Sequence, residues 1–548
     1  MEFSSINRSK FLKQMSKEPL DLLIIGGGIT GAGIALDAAL RGMKVGLVEM
    51  QDFAAGTSSR STKLVHGGLR YLKQFEVGVV AEVGKERAIV YENAPHVTTP
   101  EWMILPIYQG GTFGKFSTSI GLKVYDFLAN VKKDERRTML NVEETLKKEP
   151  LLKKNGLKGS GVYVEYRTDD ARLTIETMKE AQKHGALVSN YAKVEELIYR
   201  DHKLIGAQVK DLISNQVYEI FAKKIVNATG PWVDHVREMD GSKQGKHLLL
   251  TKGVHLVFDQ KKFPLQHAIY FDVPDGRMVF VIPREGKTYL GTTDTVYQGD
   301  IQNPRMTEED RSYLLAAANN MFPDLKLTDR DVESSWAGLR PLIHEEGKSP
   351  SEVSRKDEIF VSDTGLISIA GGKLTGYRKM AERIVDLVTE KLQKEEQLRF
   401  PPSSTKNKTL SGGDVGGSKG FIDFIQRKVA EGMTFGLSKE EATNLVKRYG
   451  SNVSEIYRYI GQSSDSKIGL PKSVYGALVY GIEQEMVVSP LDFFLRRTGA
   501  ILFNREWVIN WKESVIQFMA EYLKWTEREK EQYRSELETE LKYSVETV

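Results

Sequence analysis

A glycine-rich turn near the N-terminus constrains the fold more than any other feature of this sequence. Residues Gly26–Gly31 satisfy the pattern G-x-G-x-x-G, follow an apolar run at 21–25 and open a helix rich in small residues at 29–41. A second apolar run, residues 44–49, ends in Glu49. This order predicts a strand, a helix and a second parallel strand, with the glycines allowing backbone to approach a pyrophosphate and Glu49 accepting from a ribose. We therefore predict a dinucleotide site.

The composition excludes several classes of site and partner. With 548 residues, 40% hydrophobic and 28% charged, the chain has length for roughly three or four domains. The net charge of +3 creates no overall field that would favour nucleic acid. Since there is no cysteine, disulfides, thiolate-held metal centres and a cysteinyl flavin link are excluded, and we predict no metal site. The first twenty residues form no continuous apolar core, so no signal peptide is predicted. The most apolar run, residues 22–36, is short and broken by glycines, so no membrane span is predicted.

Two distant glycine-containing segments extend the dinucleotide prediction to FAD. Residues 228–230 end a downstream strand, and residues 371–372 precede a helix that begins near Thr375. An extended flavin needs further contacts of this kind, and a helix N-terminus beside its pyrimidine edge stabilises the negative charge of the reduced ring. Each segment alone is equally well read as an ordinary strand-end turn. Their joint occurrence favours FAD over NAD.

The remaining pattern predicts a mixed α/β and α+β fold. Short alternating strands between residues 248 and 295 indicate an antiparallel sheet, residues 400–420 form a linker, and a capping box at Ser438 and Glu441 begins a helical region. We predict a Rossmann-like FAD-binding domain, an antiparallel-sheet substrate domain and an all-helical C-terminal domain. Their limits are 1–95, 165–240 and 355–400 for the first, 96–164 and 241–354 for the second, and 401–548 for the third.

Five runs of residues carry a resemblance to a known family: 57–71, 228–232, 291–294, 337–341 and 371–375. They look like the motifs of the FAD-dependent glycerol-3-phosphate dehydrogenases, and the similarity spans essentially the whole chain. It implies oxidation of sn-glycerol 3-phosphate to dihydroxyacetone phosphate, hydride transfer to flavin N5 and a quinone as electron acceptor. With the glycine turn, the expected FAD contacts are Gly26, Gly28, Gly31, Glu49, Ser58, Ser61, Thr62, Lys63, Leu64, His66, Val194, Ala228, Gly230, Trp232, Gly338, Gly371, Gly372, Lys373, Leu374 and Thr375.

The resemblance also implies which residues meet the substrate. Arg70, Tyr71, Arg340 and Lys373 would bind glycerol 3-phosphate, and a phosphate dianion does need guanidinium forks or an ammonium group. Lys373 has the alternative of contacting FAD alone. Loss of hydride from an alcohol also requires a base for the hydroxyl proton. The expected catalytic residues are His66, His255, Arg340 and Lys373, and which histidine is the base, or whether two groups share the proton, is left open.

A membrane contact is predicted from an apolar and basic segment. Apolar residues recur at helical spacing between Phe113 and Leu128, with lysines beside them up to Lys133. Such a face suits a membrane interface, although a core-facing helix with solvated lysines fits the same pattern. Resemblance to a family that docks on membranes favours the first, which implies a cytoplasmic protein, peripheral on the inner face of the cell membrane. A homodimer is left open.

Three rival functions use the same features. A glycerol-3-phosphate oxidase would pass electrons to oxygen, but such oxidases tend to carry an extra insertion, and no segment of this chain is left unassigned. An amine or amino-acid oxidase would bind a carboxylate with a similar arginine pair. A flavin-binding sensor or partner protein would hold FAD without turnover.

Overall fold

The computed structural model describes residues 2–66, 77–111, 136–345, 357–462 and 469–548. Predicted features that lie outside these residues are the substrate contacts Arg70 and Tyr71 and the whole segment from Phe113 to Lys133. Strands and helices are numbered below along this described part of the chain.

The strands form two large sheets. In chain order they are β1 (Leu20–Ile25), β2 (Val45–Val48), β3 (Leu64–Val65), β4 (Thr98–Tyr108), β5 (Thr138–Leu140), β6 (Leu157–Thr168), β7 (Leu187–Ser189), β8 (Ala192–Arg200), β9 (Lys203–Asp211), β10 (Val217–Asn227), β11 (Lys246–Asp259), β12 (Ala268–Asp272), β13 (Met278–Arg284), β14 (Lys287–Gly291), β15 (Thr295–Val296), β16 (Val332–Glu345), β17 (Glu358–Val361) and β18 (Ile367–Ala370).

The α-helices alternate with the early strands and dominate the C-terminal region. They are α1 (Arg8–Met15), α2 (Ile29–Leu40), α3 (Val77–Asn93), α4 (Val142–Lys148), α5 (Asp170–Lys183), α6 (Val233–Met239), α7 (Glu308–Met321), α8 (Tyr377–Glu396), α9 (Gly417–Thr434), α10 (Lys439–Tyr449), α11 (Val453–Gln462), α12 (Lys472–Gln484), α13 (Ala500–Phe503), α14 (Arg505–Leu523) and α15 (Glu527–Tyr543). A π-helical turn, Asp492–Arg497, precedes α13.

The first sheet has the parallel core predicted from the glycine turn. Its order is β17-β18-β10-β1-β2-β7, with β18, β10, β1, β2 and β7 parallel and β17 antiparallel at the edge. Every residue of β1 is buried, as expected for a strand covered on both faces. The strand, helix and strand predicted at residues 21–49 are confirmed as β1, α2 and β2.

The second sheet is mainly antiparallel. Its order is β15-β11-β14-β13-β12-β4-β6-β3, with β16 paired to β11 and β5 paired to β6. One pair, β12 with β4, is parallel. Strand β6 pairs with β4 over nearly its whole length. The proposed domain limit at residue 165 therefore falls inside this strand.

Successive residues of the second sheet point to opposite faces, and the two faces have different partners. Val254, Leu256 and Leu290 pack in a core that includes residues of α7. Tyr289 and Trp336 pack against C-terminal residues, with both rings within 6 Å of Phe503. The helical C-terminal region thus covers the second sheet on one face.

The helical C-terminal region begins as the sequence predicted. Ser438 accepts from the backbone N–H of Glu441, whose side chain accepts from the Ser438 backbone N–H, so the predicted capping box of α10 is confirmed. The mixed fold class with an all-helical C-terminal part is confirmed. Within the residues described, no helix combines the length and the apolar character needed to cross a bilayer.

Candidate functional site

The glycine turn lies where β1, α2 and β10 meet. Gly26 has φ of +114°, and a Cβ there would lie 2.6 Å from the carbonyl oxygen of Ala228. A Cβ at Gly31 would overlap the carbonyl oxygen of Gly26. Gly28 is the N-cap of α2 and supplies no side chain to cap it. Because the first amides of a helix lack intrahelical acceptors and carry partial positive charge, this end suits a pyrophosphate.

Glu49 lies at this turn, directly after β2. Its carboxylate accepts hydrogen bonds from the backbone N–H of Gly27 at 2.6 Å and of Gln51 at 2.8 Å. Burial raises the pKa of Glu49, and these two hydrogen bonds oppose that effect. The backbone N–H of Ala192 donates to the Glu49 carbonyl at 2.7 Å, and Val194 follows two residues along β8. Glu49 and Val194 are thus placed at the same end of the first sheet.

The second predicted contact segment adjoins the glycine turn. The backbone N–H of Ala228 donates to the carbonyl of Ile25 at 2.8 Å, which joins the end of β10 to the end of β1. Gly230 has φ of +57° and begins a short 3-10 turn that ends at Trp232. A Cβ at Gly56 would lie 3.3 Å from the Trp232 ring, so the indole covers the chain just before the next segment.

That next segment, Thr57–His66, is called the signature loop. The Ser58 hydroxyl accepts from the backbone N–H of Ile29 at 3.0 Å, which places the loop over the start of α2. Ser61 donates to one oxygen of Asp170 at 2.6 Å, and Lys63 donates to the other at 2.7 Å. Lys63 is buried with φ of +57°. The loop is therefore fixed by its hydrogen bonds to Asp170, the first residue of α5.

The third predicted contact segment is tied to the end of the signature loop. Gly371 and Gly372 both have positive φ, +74° and +84°. After Lys373, residues Leu374–Gly376 form a 3-10 turn before α8. The hydroxyl of Thr375 donates to the carbonyl of His66 at 3.0 Å and accepts from its backbone N–H at 3.1 Å. His66 and Lys373 are consequently neighbours.

His66 is half-buried, with its ring edge-on to Phe280 at 6.0 Å between centroids. Burial, together with the smaller effect of the Lys373 and Arg87 charges, lowers the pKa of His66 to about 4. The imidazole is therefore neutral at physiological pH. A neutral imidazole is able to accept a proton.

One face of the second sheet packs against the signature loop. Strands β11 and β16 pair so that His255 opposes Trp336 and Gly253 opposes Gly338. The indole N–H of Trp336 donates to the carbonyl of Ser61 at 3.0 Å. A Cβ at Gly338 would overlap the carbonyl oxygen of Arg60. This sheet face and the loop are thus in direct contact.

Arg340 lies two residues further along β16 on the same face. Its guanidinium donates to the Thr292 hydroxyl at 2.9 Å, the Thr293 carbonyl at 3.2 Å and Asp294 at 3.3 Å. A Cβ at Gly253 would overlap this guanidinium. The side chain of Arg340 is 32% exposed. The guanidinium of Arg340 is therefore held in one direction, and the side chain remains partly exposed to solvent.

His255 is the buried member of this face. Its ring stacks on Trp336 with centroids 4.5 Å apart and an interplanar angle of 7°. Its Nε2 lies 3.0 Å from the Thr62 hydroxyl oxygen. Burial holds the pKa of His255 well below its ordinary value, helped by the charges of Arg340 and Lys63. A second neutral imidazole thus lies beside Arg340.

The residues present fit FAD. The glycine turn leaves a cradle that a side chain would fill, the N-cap of α2 is a glycine without a capping side chain, and a carboxylate follows β2. The predicted contacts lie in segments that hydrogen bond or pack onto one another, except that Arg70 and Tyr71 lie outside the described residues.

Sequence reasoning missed Asp170, Trp336 and Tyr289. Asp170 pairs with Lys63, Trp336 stacks on His255, and the Tyr289 hydroxyl donates to the carbonyl of Thr62 at 3.0 Å. The adjacent acid pair Asp169 and Asp170, a residue type common at the start of a helix, was a signal for Asp170. For the two aromatic residues, the sequence gives no signal that separates them from ordinary core residues.

Comparison with known families covers most of the chain. A model of FAD-dependent oxidoreductases matches residues 21–378, and a model of the C-terminal domain of alpha-glycerophosphate oxidase matches residues 403–530. The aerobic glycerol-3-phosphate dehydrogenase of Bacillus subtilis strain 168 is 63% identical over 538 residues, 98% of this chain and 97% of the relative. The protein of that name from Staphylococcus aureus is 59% identical over 547 residues, 99% of this chain and 98% of the relative.

Solved structures agree with this relationship. A glycerol-3-phosphate dehydrogenase from Bacillus halodurans, complexed with FAD, superposes with a TM-score of 0.87 at 54% identity, covering 100% of this chain and 99% of that one. An L-alpha-glycerophosphate oxidase from Mycoplasma pneumoniae gives a TM-score of 0.56 at 19% identity, covering 71% of this chain and 98% of that one. The second likeness shows the fold alone. FAD is the cofactor of this chain.

Proposed function

We propose that this chain, which belongs to the family of FAD-dependent oxidoreductases, oxidises sn-glycerol 3-phosphate to dihydroxyacetone phosphate and passes the electrons to a membrane quinone. The names of the similar dehydrogenases support the substrate. The observation that carries the proposal is the common sheet face of Arg340 and His255, one partly exposed cation beside one buried neutral imidazole.

Arg340 is the proposed phosphate contact. Its guanidinium is already oriented by Thr292, Thr293 and Asp294, so little side-chain freedom remains to be lost on binding. A guanidinium fork matches the geometry of phosphate oxygens better than an ammonium does. Lys373 is proposed as a second contact, since it begins the segment that is tied to His66.

His255 is the proposed acceptor of the hydroxyl proton. FAD, when bound, would accept the hydride that leaves the carbinol carbon of the substrate. His255 remains neutral because of burial and the charges of Arg340 and Lys63, and its ring is fixed by Trp336 and Thr62. His66 is the alternative base, because it is neutral as well and adjoins Lys373. Comparing His255→Gln with His66→Gln would assign the role, since loss of the base lowers kcat by about 100- to 10,000-fold.

The test of the substrate is anaerobic reduction of the yellow holoenzyme. Glycerol 3-phosphate is expected to bleach the flavin absorbance, whereas glycerol, glycine and sarcosine are expected to leave it unchanged. Bleaching by glycine or sarcosine would instead support an amine or amino-acid oxidase. A flavin that no small phosphate ester reduces would favour a binding protein without turnover.

The test of the acceptor is reoxidation of the reduced enzyme. A soluble quinone analogue is expected to restore the absorbance much faster than air-saturated buffer does. Faster reoxidation in air would mean an oxidase and would overturn the quinone proposal. The dehydrogenase names of the relatives support the quinone, whereas the match of residues 403–530 to an oxidase domain does not separate the two.

The proposed location is the inner face of the cell membrane, as a peripheral protein. A quinone dissolves in the bilayer, so its reductase must reach the membrane surface. The apolar and basic segment that would make the contact lies entirely outside the described residues. This location, the membrane partner and a homodimer all remain proposals.

A further inference from the structure

The loop that carries Glu49 is held by a second group of residues, which belong to the helical C-terminal region. The loop, here called the cofactor loop, comprises Glu49–Phe53. On one side it is tied to the glycine turn. Glu49 accepts from the backbone N–H of Gly27, and a Cβ at Gly27 would lie 2.8 Å from the ring of Phe53. The backbone N–H of Ala54 donates to the Gly27 carbonyl at 3.0 Å.

Asp52 lies in the same loop and is fully enclosed. Its carboxylate accepts from Arg497 at 2.7 and 2.9 Å, from Arg496 Nε at 2.5 Å and from the Asn190 side chain at 3.1 Å. The side chains of Asp52 and Arg497 are 0% exposed and that of Arg496 is 6% exposed. Burial would raise the pKa of Asp52, but the two arginines outweigh it and hold the pKa at about 2. Asp52 is thus a permanent anion.

The two arginines are adjacent in sequence, at the end of the π-helical turn Asp492–Arg497. Neighbouring residues of an α-helix point about 100° apart, because there are about 3.6 residues per turn. Here both side chains reach one carboxylate. Asp492 extends this group by accepting from Arg496 at 2.6 Å and from the Tyr191 hydroxyl at 2.7 Å. Single π-turns of this kind recur at functional positions.

This cluster also adjoins the strand beside Glu49. Tyr191 donates through its backbone N–H to the Gln51 carbonyl at 2.9 Å, and the neighbouring Asn190 donates to the Met486 carbonyl at 3.0 Å. Gln51 and Asp52, which follow Glu49, and Asn190 and Tyr191, which lie beside it, are therefore linked through short contacts to residues 486–497. The C-terminal region fixes the loop whose carboxylate is expected to meet the FAD ribose.

We propose that Asp52, Arg496 and Arg497 are positioning residues for FAD, through which the helical C-terminal region controls how firmly the cofactor is retained. They act through Glu49 and Gly27, and they contact neither the proposed substrate residues nor the proposed bases in the described structure. Loss of the cluster leaves Glu49 and Phe53 free to shift. The cofactor then dissociates faster while the glycine turn itself is intact.

The experiment measures FAD release from the holoenzyme. Flavin fluorescence rises as FAD leaves the protein, so the release rate is followed after dilution at a temperature well below the melting transition. Asp52→Asn keeps the size of the side chain and removes its charge, and we expect release at least tenfold faster than in the unmodified protein. Arg497→Lys keeps the charge and removes the two-pronged contact, and we expect an intermediate rate.

The matched control is Asp37→Asn. The Asp37 side chain is 1% exposed and pairs with Arg41 at 2.7 Å. Asp37 lies on α2, which packs on the first sheet, and it has no contact with the cofactor loop in the described residues. We expect this variant to be less stable yet to release FAD at nearly the unmodified rate. Equal release by Asp52→Asn and Asp37→Asn would overturn the proposal, because the cluster would then be only structural. If Asp52→Asn does not fold, unchanged release by Arg497→Lys would overturn it in the same way.

Discussion

At the residue scale, Arg340 is positioned before any ligand is bound. Three oxygen atoms, from Thr292, Thr293 and Asp294, accept from its guanidinium, and Gly253 leaves the room that this guanidinium occupies. Asp294 compensates its charge in the free enzyme. If Arg340 is the phosphate contact, as proposed, the dianion meets a charge of fixed direction. Affinity should depend on this one side chain more than on the general charge of the protein.

Arg340→Ala is expected to raise KM for glycerol 3-phosphate while the flavin spectrum stays unchanged. Loss of charge-assisted hydrogen bonds costs about 1.5 to 3 kcal/mol, or roughly 10- to 150-fold in KM. Steady-state kinetics with a dye acceptor measures this effect. The control is Arg277→Ala, because Arg277 is similarly exposed and paired to Asp275, on the turn between β12 and β13. Unchanged kinetics in Arg340→Ala would contradict the assignment.

His96 provides a test of how burial affects stability. Its side chain is buried against Gly412 and Gly450, and neither ring nitrogen has a hydrogen-bond partner among the described residues. Burial lowers its pKa to about 3, with smaller contributions from Arg172 and Lys179. Because the unfolded histidine titrates near 6.5, the unfolded chain binds more protons below that pH, and stability falls as the pH drops.

His96→Gln should therefore differ from the unmodified protein by an amount that depends on pH. Between pH 7 and pH 5 the unmodified protein loses about 2 kcal/mol through His96, at about 1.4 kcal/mol per pH unit below 6.5. The destabilisation caused by the substitution should shrink by this amount at pH 5. Urea unfolding at both pH values measures it. His202→Gln, at an exposed turn, should show no such change, and an equal change in both variants would refute the prediction.

At the element scale, the site depends on alternation along β11, β14 and β16. Gly253 and His255 share one face of β11, and Val254 and Leu256 point into the core on the other. Gly291 of β14 opposes His255, and a Cβ there would overlap the imidazole. A side chain on the wrong residue of these strands would therefore displace the proposed base.

Gly291→Ala should lower kcat at least tenfold because the new methyl group would occupy the space of the His255 ring and displace the imidazole from its present position. FAD content should remain normal, since the glycine turn is in the other sheet. Leu290→Ala is the control, because Leu290 is buried on the opposite face of β14. It should cost about 2 to 5 kcal/mol of stability with kcat preserved. The prediction fails if the two variants lose kcat to the same extent.

At the scale of the whole molecule, the helical C-terminal region joins the two sheets. Phe503 packs beside Trp336 and Tyr289 of the second sheet, and Arg496 and Arg497 bind Asp52 of the first. The two sheets are therefore fixed relative to each other by residues distant in sequence. The proposed membrane contact belongs to a different part of the chain, the segment from Phe113 to Lys133.

Binding to anionic vesicles is expected at low salt and should weaken at high salt, because lysines would meet the lipid headgroups. Phe116→Ser combined with Phe127→Ser should weaken it further, since apolar side chains would no longer enter the acyl region. Co-sedimentation with vesicles measures both effects, and vesicles of neutral lipid serve as the control. Absence of binding to anionic vesicles at low salt would contradict the membrane proposal.

The sequence by itself determined the strand, helix and strand β1, α2 and β2 of the first sheet, and it determined the cofactor, FAD. The glycine turn, Glu49 and the flanking apolar runs are local signals, since a strand, a tight turn and a helix start are specified by residues within about thirty positions. The capping box at Ser438 is local in the same sense. The resemblance added the substrate and singled out Arg340 and His255.

Only the tertiary structure decided which residues surround these. Trp336 stacks on His255 because β11 and β16 pair in one register, although some eighty residues separate them. Asp52 meets Arg496 and Arg497 across more than four hundred residues, and Lys63 meets Asp170 across more than one hundred. A buried ion pair has no periodicity and no fixed spacing along a chain. It exists because folding brings two charges together where water cannot solvate either one alone.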